Sequence, residues 1–313
     1  MKIVHGIDAP LQLPELVLGI GIFDGVHRGH QALLGRVVQR ARQRGGTPGA
    51  LTFHPHPLAV LDPLRAPCLL VSLDHRLALL RRLSLEVVVV ASFTPQLASM
   101  EPEVFVEEVL IRRLGAAALV TGESFRFGYC GRGDTELLCR LAKRLGVEAE
   151  VVSPVYDHQL ISSTAIRVAI ERGDLQEASR LLGRPVSLMG RVVSGSGRGR
   201  ALGFPTANVL VDEEVAPPRG VYVVTALVDG VGYPGVANVG VRPTFGEHSS
   251  NLVVEAHIFD FSSTLYDREL EVQFLRKLRD EVAFPTVAAL IAQIVRDVEQ
   301  ARAVHALARS TAL

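Results

Sequence analysis

The chain has 313 residues, room for about two domains of ordinary size, and its 48% hydrophobic and 21% charged residues support full cores and exclude extensive disorder. Lysine plus arginine equals aspartate plus glutamate at 33 each, so no global field draws the chain to nucleic acid or to an anionic membrane, and any polyanion site must be local. Cys68, Cys130 and Cys139 fit neither a metal-ligand spacing nor an even-numbered disulfide framework, MKIVHGIDAP lacks a signal-peptide core, and no apolar run is long enough to span a bilayer; a reduced, cytoplasmic protein without membrane or nucleic-acid partners is expected.

Leu16 to Phe23 is an apolar run of strand length, and Gln31 to Arg44 has helical spacing with Ala32, Leu33, Val37 and Ala41 on one face. Between them lies a glycine turn carrying His27, Gly29 and His30. Such a strand-to-helix turn offers unpaired N–H groups at the positive end of a helix dipole, where phosphates are stabilised. By residue type alone, an HxxH of this kind is more often a pair of turn or capping residues without chemistry than a binding site.

Strand-like stretches at Val17 to Ile22, Ala50 to Phe53, Glu86 to Val90, Ala117 to Val120 and Glu148 to Val152 alternate with helical ones, which predicts a parallel sheet covered by helices. Pro102 and Gly115 bracket one of these helices. Ligands of such sheets bind beyond the carboxyl ends of the strands. After Phe53 comes His54-Pro55-His56-Pro57, either a stiff extended loop or a binding segment. Zinc binding by His54 and His56 is disfavoured, since no further ligands stand at metal-site spacing. After Val120 runs TGESFRFGYCGRGD, whose glycines permit close backbone approach and whose Phe125 and Phe127 suit a planar ring. Ser162, Ser163 or Thr164 caps the next helix, and Asp174 with Glu177 caps the last one before Gly183 and Pro185.

Past Arg184 the pattern changes. Val186 to Val193, Gly220 to Val228, Val231 to Val239, Leu252 to Phe259 and Glu269 to Phe274 are strand-like with short turns, which predicts an antiparallel sheet or small barrel. Thr286 caps a final helix whose Val287, Leu290, Ile291, Ile294, Val295 and Val298 form an apolar stripe expected to pack on it. The boundary falls near residue 184, giving domains 1–183 and 184–313. The stretch GSGRGRALGFPTAN, from Gly195 to Asn208, has the composition of a phosphate loop without Walker spacing.

Several of these strings resemble one family, the prokaryotic bifunctional riboflavin kinase and FMN adenylyltransferases, or FAD synthetases. GIFDGVHRGHQ resembles the signature of its N-terminal nucleotidyltransferase module, GFPTAN its kinase signature, and VVEAHIFDF its catalytic strand; GVANVGVRPTFG and LRDEVAF also resemble kinase segments. The resemblance implies a Rossmann-like parallel-sheet nucleotidyltransferase domain followed by a small antiparallel β-barrel kinase domain with a C-terminal helix. It further implies that the chain converts riboflavin to FMN and then FMN to FAD, with ATP and Mg²⁺, acting on small molecules in an unknown oligomeric state. At the first site it assigns triphosphate contact to Gly21, Phe23, Asp24, His27, Gly29, His30, Ser163, Thr164 and Arg167, and flavin contact to Phe53, Pro55, His56, Pro57, Phe125 and Phe127. At the second it assigns nucleotide phosphates to Gly197 and Gly199, phosphates and Mg²⁺ to Thr206 and Asn208, flavin to Arg279 and Phe284, and the general base to Glu255. Asp260, at odd spacing from Glu255, should face the opposite side of a regular strand and is the weaker base. Two positions depart from the family: Ser124 replaces an acidic or amide residue, and Asp267 a glycine. The alternatives are a single-activity enzyme, against which the presence of both residue sets argues, and a non-catalytic flavin or nucleotide sensor, against which stands the lack of any string resembling a helix-turn-helix or a basic nucleic-acid patch.

Overall fold

The structure is a computed structural model describing residues 1–195, 197–211, 214–242 and 251–310. The chain divides into two units, one formed by Met1–Cys68 with Arg76–Ser163 and the other by Leu69–His75 with Thr164–Leu313. The second unit therefore takes in a short segment from the first half of the chain, and two helices that precede residue 184.

The first unit is built on a sheet of β1 (Lys2–His5), β2 (Leu16–Ile20), β3 (Pro48–His54), β4 (Val87–Ser92), β5 (Ala116–Gly122) and β6 (Glu148–Val152) in the order β1-β4-β3-β2-β5-β6, every pair parallel. β1 escaped the sequence reading because KIVH is a half-exposed edge strand with no polar alternation; its pairing with β4 makes it a strand. From β2 the chain steps one way to β3 and later the other way to β5, so the crevice beyond the carboxyl ends of β2 and β5 is the topological switch point.

The connections carry α1 (Arg28–Arg44), α2 (Pro57–Leu61), α3 (Leu73–Arg81), α4 (Pro95–Ala98), α5 (Pro102–Val104), which runs on as a π-helix over Phe105–Arg113, and α6 (Thr135–Arg144). α1 buries Leu33, Leu34, Val37, Val38 and Ala41, close to the predicted face, but it starts three residues early because His27 serves as its cap. A hairpin of β7 (Tyr156–Asp157) and β8 (Gln159–Leu160) ends the unit.

In the second unit α7 (Ser163–Glu171) and α8 (Leu175–Leu182) lead into a closed antiparallel barrel of β9 (Val186–Val193), β10 (Ala207–Val211), β11 (Gly220–Val228), β12 (Val231–Arg242), β13 (Asn251–Ile258) and β14 (Glu269–Arg279), in the order β10-β13-β12-β11-β14-β9; a short α9 (Arg198–Ala201) lies in the loop before β10. The α8 ends are as read: Asp174 accepts from Glu177 N–H at 2.9 Å and Gly183 closes it at φ 75°. Inside the barrel Tyr222 and Phe274 meet edge to face at 5.4 Å.

The last helix, α10 (Val287–Ser310), is capped by Thr286, whose Oγ1 accepts from Ala289 N–H at 3.1 Å. It packs on Val221, Val223, Val236 and Phe259 through Val298, Ala301 and Val304, not through the start of the predicted stripe, where Val287 is 62% exposed. Asp297, 3% exposed, fixes this docking half by a bidentate pair with Arg279 at 2.8–3.1 Å.

The segment Leu69–His75 belongs to the barrel unit through backbone and buried charge. Val215 N–H donates to Leu69 O at 2.8 Å, and Ser72 N–H to Glu214 Oε1 at 2.7 Å. The fully buried His75 ring sits between Glu214 (3.1 Å) and Glu271 (3.6 Å), with Ser187 Oγ 3.2 Å from Nε2. Burial alone lowers its pKa; the hydrogen bonds and charges of the two glutamates outweigh that, and the net value is raised.

Candidate active sites

The first site follows the carboxyl ends of β2, β3 and β5. Phe23 and Val26 take left-handed conformations at φ 53° and 42°, turning the chain sharply between β2 and α1. His27 caps α1: its Nδ1 accepts from His30 N–H at 3.4 Å, and the two imidazoles stack with centroids 3.6 Å apart. With Nδ1 accepting, neutral His27 carries its proton on Nε2, a donor for an anion. Phe23, fully buried, stands edge-on to His30 at 5.4 Å. A Cβ on Gly29 would come within 3.1 Å of the His27 ring, so any larger residue there would crowd the stacked pair. Asp24 is buried, and its carbonyl accepts from Ser163 Oγ at 3.0 Å, which brings the start of α7 to this turn. Thr164 and Arg167 follow on α7, Arg167 one helical turn beyond Ser163, and by contact they count with the second unit.

Of the flavin candidates, Pro55 is exposed, while His56 and Pro57 are half-buried; His56 Nδ1 also caps α2, accepting from Leu58 N–H at 3.1 Å. Phe53 and Phe127 depart from the expectation. At 8% and 7% exposed they are core residues, Phe53 against Phe93 and Phe127 between Phe105 and Phe125, and neither offers an open ring face. The reason is strand geometry for Phe53, still within β3, and for Phe127 a closed loop in which it exchanges backbone hydrogen bonds with Gly133 at 2.9–3.0 Å. Half-buried Phe125 stacks on Phe127 at the margin of the core; Ser124 is exposed.

Sequence reasoning missed Arg76. It is fully buried, and its Nη1 donates to Ile22 O at 2.9 Å, Phe53 O at 3.2 Å and Thr52 Oγ1 at 3.2 Å. No local signal set it apart, since it follows Asp74 and His75 in a helix that ends on a second arginine, Arg81.

The second site lies on the barrel wall. Register sets Asn208 opposite Glu255, and Glu255 opposite Asn238, so three polar side chains share one row and one face across β10, β13 and β12. The row continues through Val221 to Arg279 on β14. Glu255 is exposed, and Asn238 Nδ2 donates to Glu281 Oε1 at 2.9 Å. Thr206 lies two residues before Asn208, at the lip of a cleft of about 270 Å³ that Arg200, Pro205, Phe261 and Tyr266 also line. Two glycines approach these side chains closely: a Cβ on Gly195 would meet the Asn208 amide at 2.3 Å, and one on Gly199 the Thr206 Oγ1 at 3.1 Å. His257, which the sequence reading also passed over, holds Pro205 O at 2.8 Å through Nδ1. Gly197 is left-handed at φ 69° and begins α9.

Arg279 pairs with Asp297 and lies 5.6 Å from the Phe284 ring centroid, so the two flavin candidates meet. Asp260 lies beyond β13 at φ 56° and is held by Arg302 through two 2.9 Å bonds. Asp267, in place of the family glycine, still adopts a left-handed φ of 62°, and its N–H donates to Val192 O at 2.9 Å, so that turn keeps a glycine-like conformation. Pro243–Gly246 of GVANVGVRPTFG lie outside the described residues.

Comparison with known proteins gives both halves a relative. Residues 10–165 match the FAD synthetase family and residues 182–305 the riboflavin kinase family. The chain is 38% identical over 306 residues to a bifunctional riboflavin kinase/FMN adenylyltransferase of Haemophilus influenzae, covering 97% of this chain and 99% of that one. Proteins of the same description from Escherichia coli and Bacillus subtilis are 37% and 35% identical, each covering 96% of this chain and 97% of its relative. The crystal structure of a Streptococcus pneumoniae protein described as a macrolide-efflux protein shares the fold at a TM-score of 0.82 and 32% identity, covering 96% of this chain and 99% of that one. No helix among the described residues is long and apolar enough to cross a membrane.

Proposed function

The chain belongs to the bifunctional riboflavin kinase/FMN adenylyltransferase family, and from that premise we propose how its two sites divide the work. It phosphorylates riboflavin to FMN and adenylylates FMN to FAD with release of pyrophosphate, ATP serving both steps. Residues 184–313 carry the kinase and 1–183 the adenylyltransferase.

In the kinase, Glu255 takes the proton from the primary ribityl hydroxyl, and that oxygen attacks the γ-phosphorus as ADP leaves. The row Asn208–Glu255–Asn238 is the observation that carries this assignment, because it puts an exposed carboxylate directly opposite Asn208, two residues after Thr206. ATP phosphates lie along the loop of Gly197 and Gly199, and the Arg279–Phe284 pair borders the flavin. Thr206 Oγ1 and Asn208 Oδ1, cradled by glycines and next to a carboxylate, form an oxygen-only donor set that fits Mg²⁺. Bound there, the ion would neutralise phosphate charge. Asn208 and Thr206 orient the phosphates, and Pro205, held by His257, keeps Thr206 at the cleft.

In the adenylyltransferase, His27 and His30 donate to triphosphate oxygens at the start of α1 while an FMN phosphate oxygen attacks the α-phosphorus. Gly21, Phe23, Asp24 and Gly29 shape that turn, Ser163 and Thr164 border it, and Arg167 supplies a guanidinium fork to the phosphates. Phe125, Pro55, His56 and Pro57 border the flavin, with Phe53 and Phe127 bracing their loops. Balanced charge and three free cysteines support a cytoplasmic enzyme of small molecules, without nucleic-acid or membrane partners. Incubation with riboflavin, ATP and Mg²⁺ followed by separation of the flavins tests the whole reading. FAD is expected; FMN alone leaves one working site, and unchanged riboflavin overturns both.

A further inference from the structure

Arg76 is a cation buried without a counter-anion bonded to it. Among the described residues it forms no ion pair, and neither its Nε nor its Nη2 has a hydrogen-bond partner. Burial pushes its pKa below the ordinary guanidinium value, and only the charge of Asp24 opposes that. A buried unpaired charge is costly, and three hydrogen bonds to neutral oxygens do not need a cation to make them. The acceptors identify what the residue does. Ile22 is the last residue before the Phe23–His30 turn, Phe53 the last but one before the Pro55–Pro57 loop, and Thr52 Oγ1 adds its own bond to Ile22 O at 2.8 Å. One guanidinium nitrogen thus joins the exits of β2 and β3, the two strands whose loops carry the imidazoles and the prolines.

We propose that Arg76 is a positioning residue of adenylyl transfer: it clamps the triphosphate turn to the loop after β3, and its positive charge, not bonded to any carboxylate, favours an anion at that turn. This rests on the reading that ATP binds at His27 and His30. The clamp acts on kcat, by fixing the geometry of attack; the charge acts on the KM for ATP.

The test uses the full chain with Arg76→Met and Arg76→Lys, measuring FAD formation from FMN and ATP beside FMN formation from riboflavin. Arg76→Met should raise the KM for ATP and lower adenylylation kcat/KM about 10²-fold, with kinase turnover unchanged. Arg76→Lys keeps the charge, but its shorter side chain does not bring the nitrogen to where Nη1 joins Ile22 O and Phe53 O, so it should restore the KM for ATP while kcat stays low. Equal loss of both activities overturns the proposal. So does a lowered melting temperature with normal adenylylation per folded molecule. If the methionine variant does not fold, the lysine variant decides: wild-type kinetics, or failure to fold as well, makes the residue structural only. His30→Ala run in parallel separates the two claims. FAD formation surviving in that variant sinks the site, whereas its loss beside a normal Arg76→Met sinks only the role of Arg76.

Discussion

The two sites are assembled by different means. On the barrel, Asn208, Glu255 and Asn238 stand opposite one another in adjacent strands, so backbone pairing alone gives them a common face and spacing. On the sheet, the groups come from separate loops, and side-chain to backbone bonds hold those loops: Arg76 and Thr52 to Ile22 O, Ser163 to Asp24 O, His27 to His30 N–H. A closed barrel tolerates exchange of one side chain in the row without moving its neighbours. The loop site does not, because each anchoring side chain is also part of the geometry, and residues without ligand contact matter to its chemistry.

Two substitutions test that contrast at its strongest. Glu255→Gln keeps size and register but cannot accept a proton, so kinase turnover should fall by roughly 10² to 10⁴. Riboflavin binding, thermal stability and FAD synthesis from supplied FMN should be little changed. A lowered melting temperature with near-normal turnover would make Glu255 structural. His30→Ala should cost adenylylation about 10²-fold or more. Because His30 is stacked on His27 and edge-on to Phe23, this variant should also loosen the turn, seen as faster amide exchange over residues 23–30. FMN formation should persist; equal loss of both activities in a folded protein would show the site misassigned.

What the sequence made legible follows the same division. Barrel strands such as Val186–Val193 and Gly220–Val228 were readable to the residue, because turn residues bound them and both are valine-rich and mostly apolar. β10 was not, since it is short and its first two residues, Ala207 and Asn208, close a motif that reads as a glycine loop. The histidine turn was legible from HRGH after an apolar strand, but not the burial of Phe53 and Phe127, which depends on which face of β3 and which side of a closed loop they take. Least legible were the buried charges. Nothing local announces that His75 meets Glu214 and Glu271, 139 and 196 residues on, or that its neighbour Arg76 turns to a different unit.

Those buried charges give the next test, on stability. The raised pKa of His75 means that protonated His75 stabilises the fold fully below its ordinary value of 6.5, and that this contribution is lost as pH rises through the folded value. Calorimetric scans should therefore show the melting temperature falling with pH above neutrality, and His75→Gln should remove that slope. A fragment of residues 184–313 lacks His75 altogether. Leaving two buried glutamates without it should cost about 3–5 kcal/mol, so the fragment should phosphorylate riboflavin yet unfold at lower denaturant than the barrel in the full chain. A fragment as stable as the parent would mean that Leu69–His75 adds nothing to the barrel, and a cooperatively folded fragment that makes no FMN would refute separable activities.

The smallest expected effect is at Asp260, the other carboxylate near the end of β13. Its hydrogen bonds from Arg302 hold it below the usual carboxylate range, and the Arg302 guanidinium also covers the Phe259 ring at 4.6 Å. A carboxylate so engaged, on a left-handed turn beyond the strand, is a weak base with its acceptor sites occupied. Its depressed pKa stabilises the fold above the unfolded value and loses that contribution only as pH falls through the folded one, well into acid. The pair is exposed and screened, so even that contribution is small. Asp260→Asn should accordingly leave kinase turnover at neutral pH unchanged and the melting temperature nearly so. A hundredfold loss of turnover in this variant, with Glu255→Gln active, would move the base off the strand row and onto the turn.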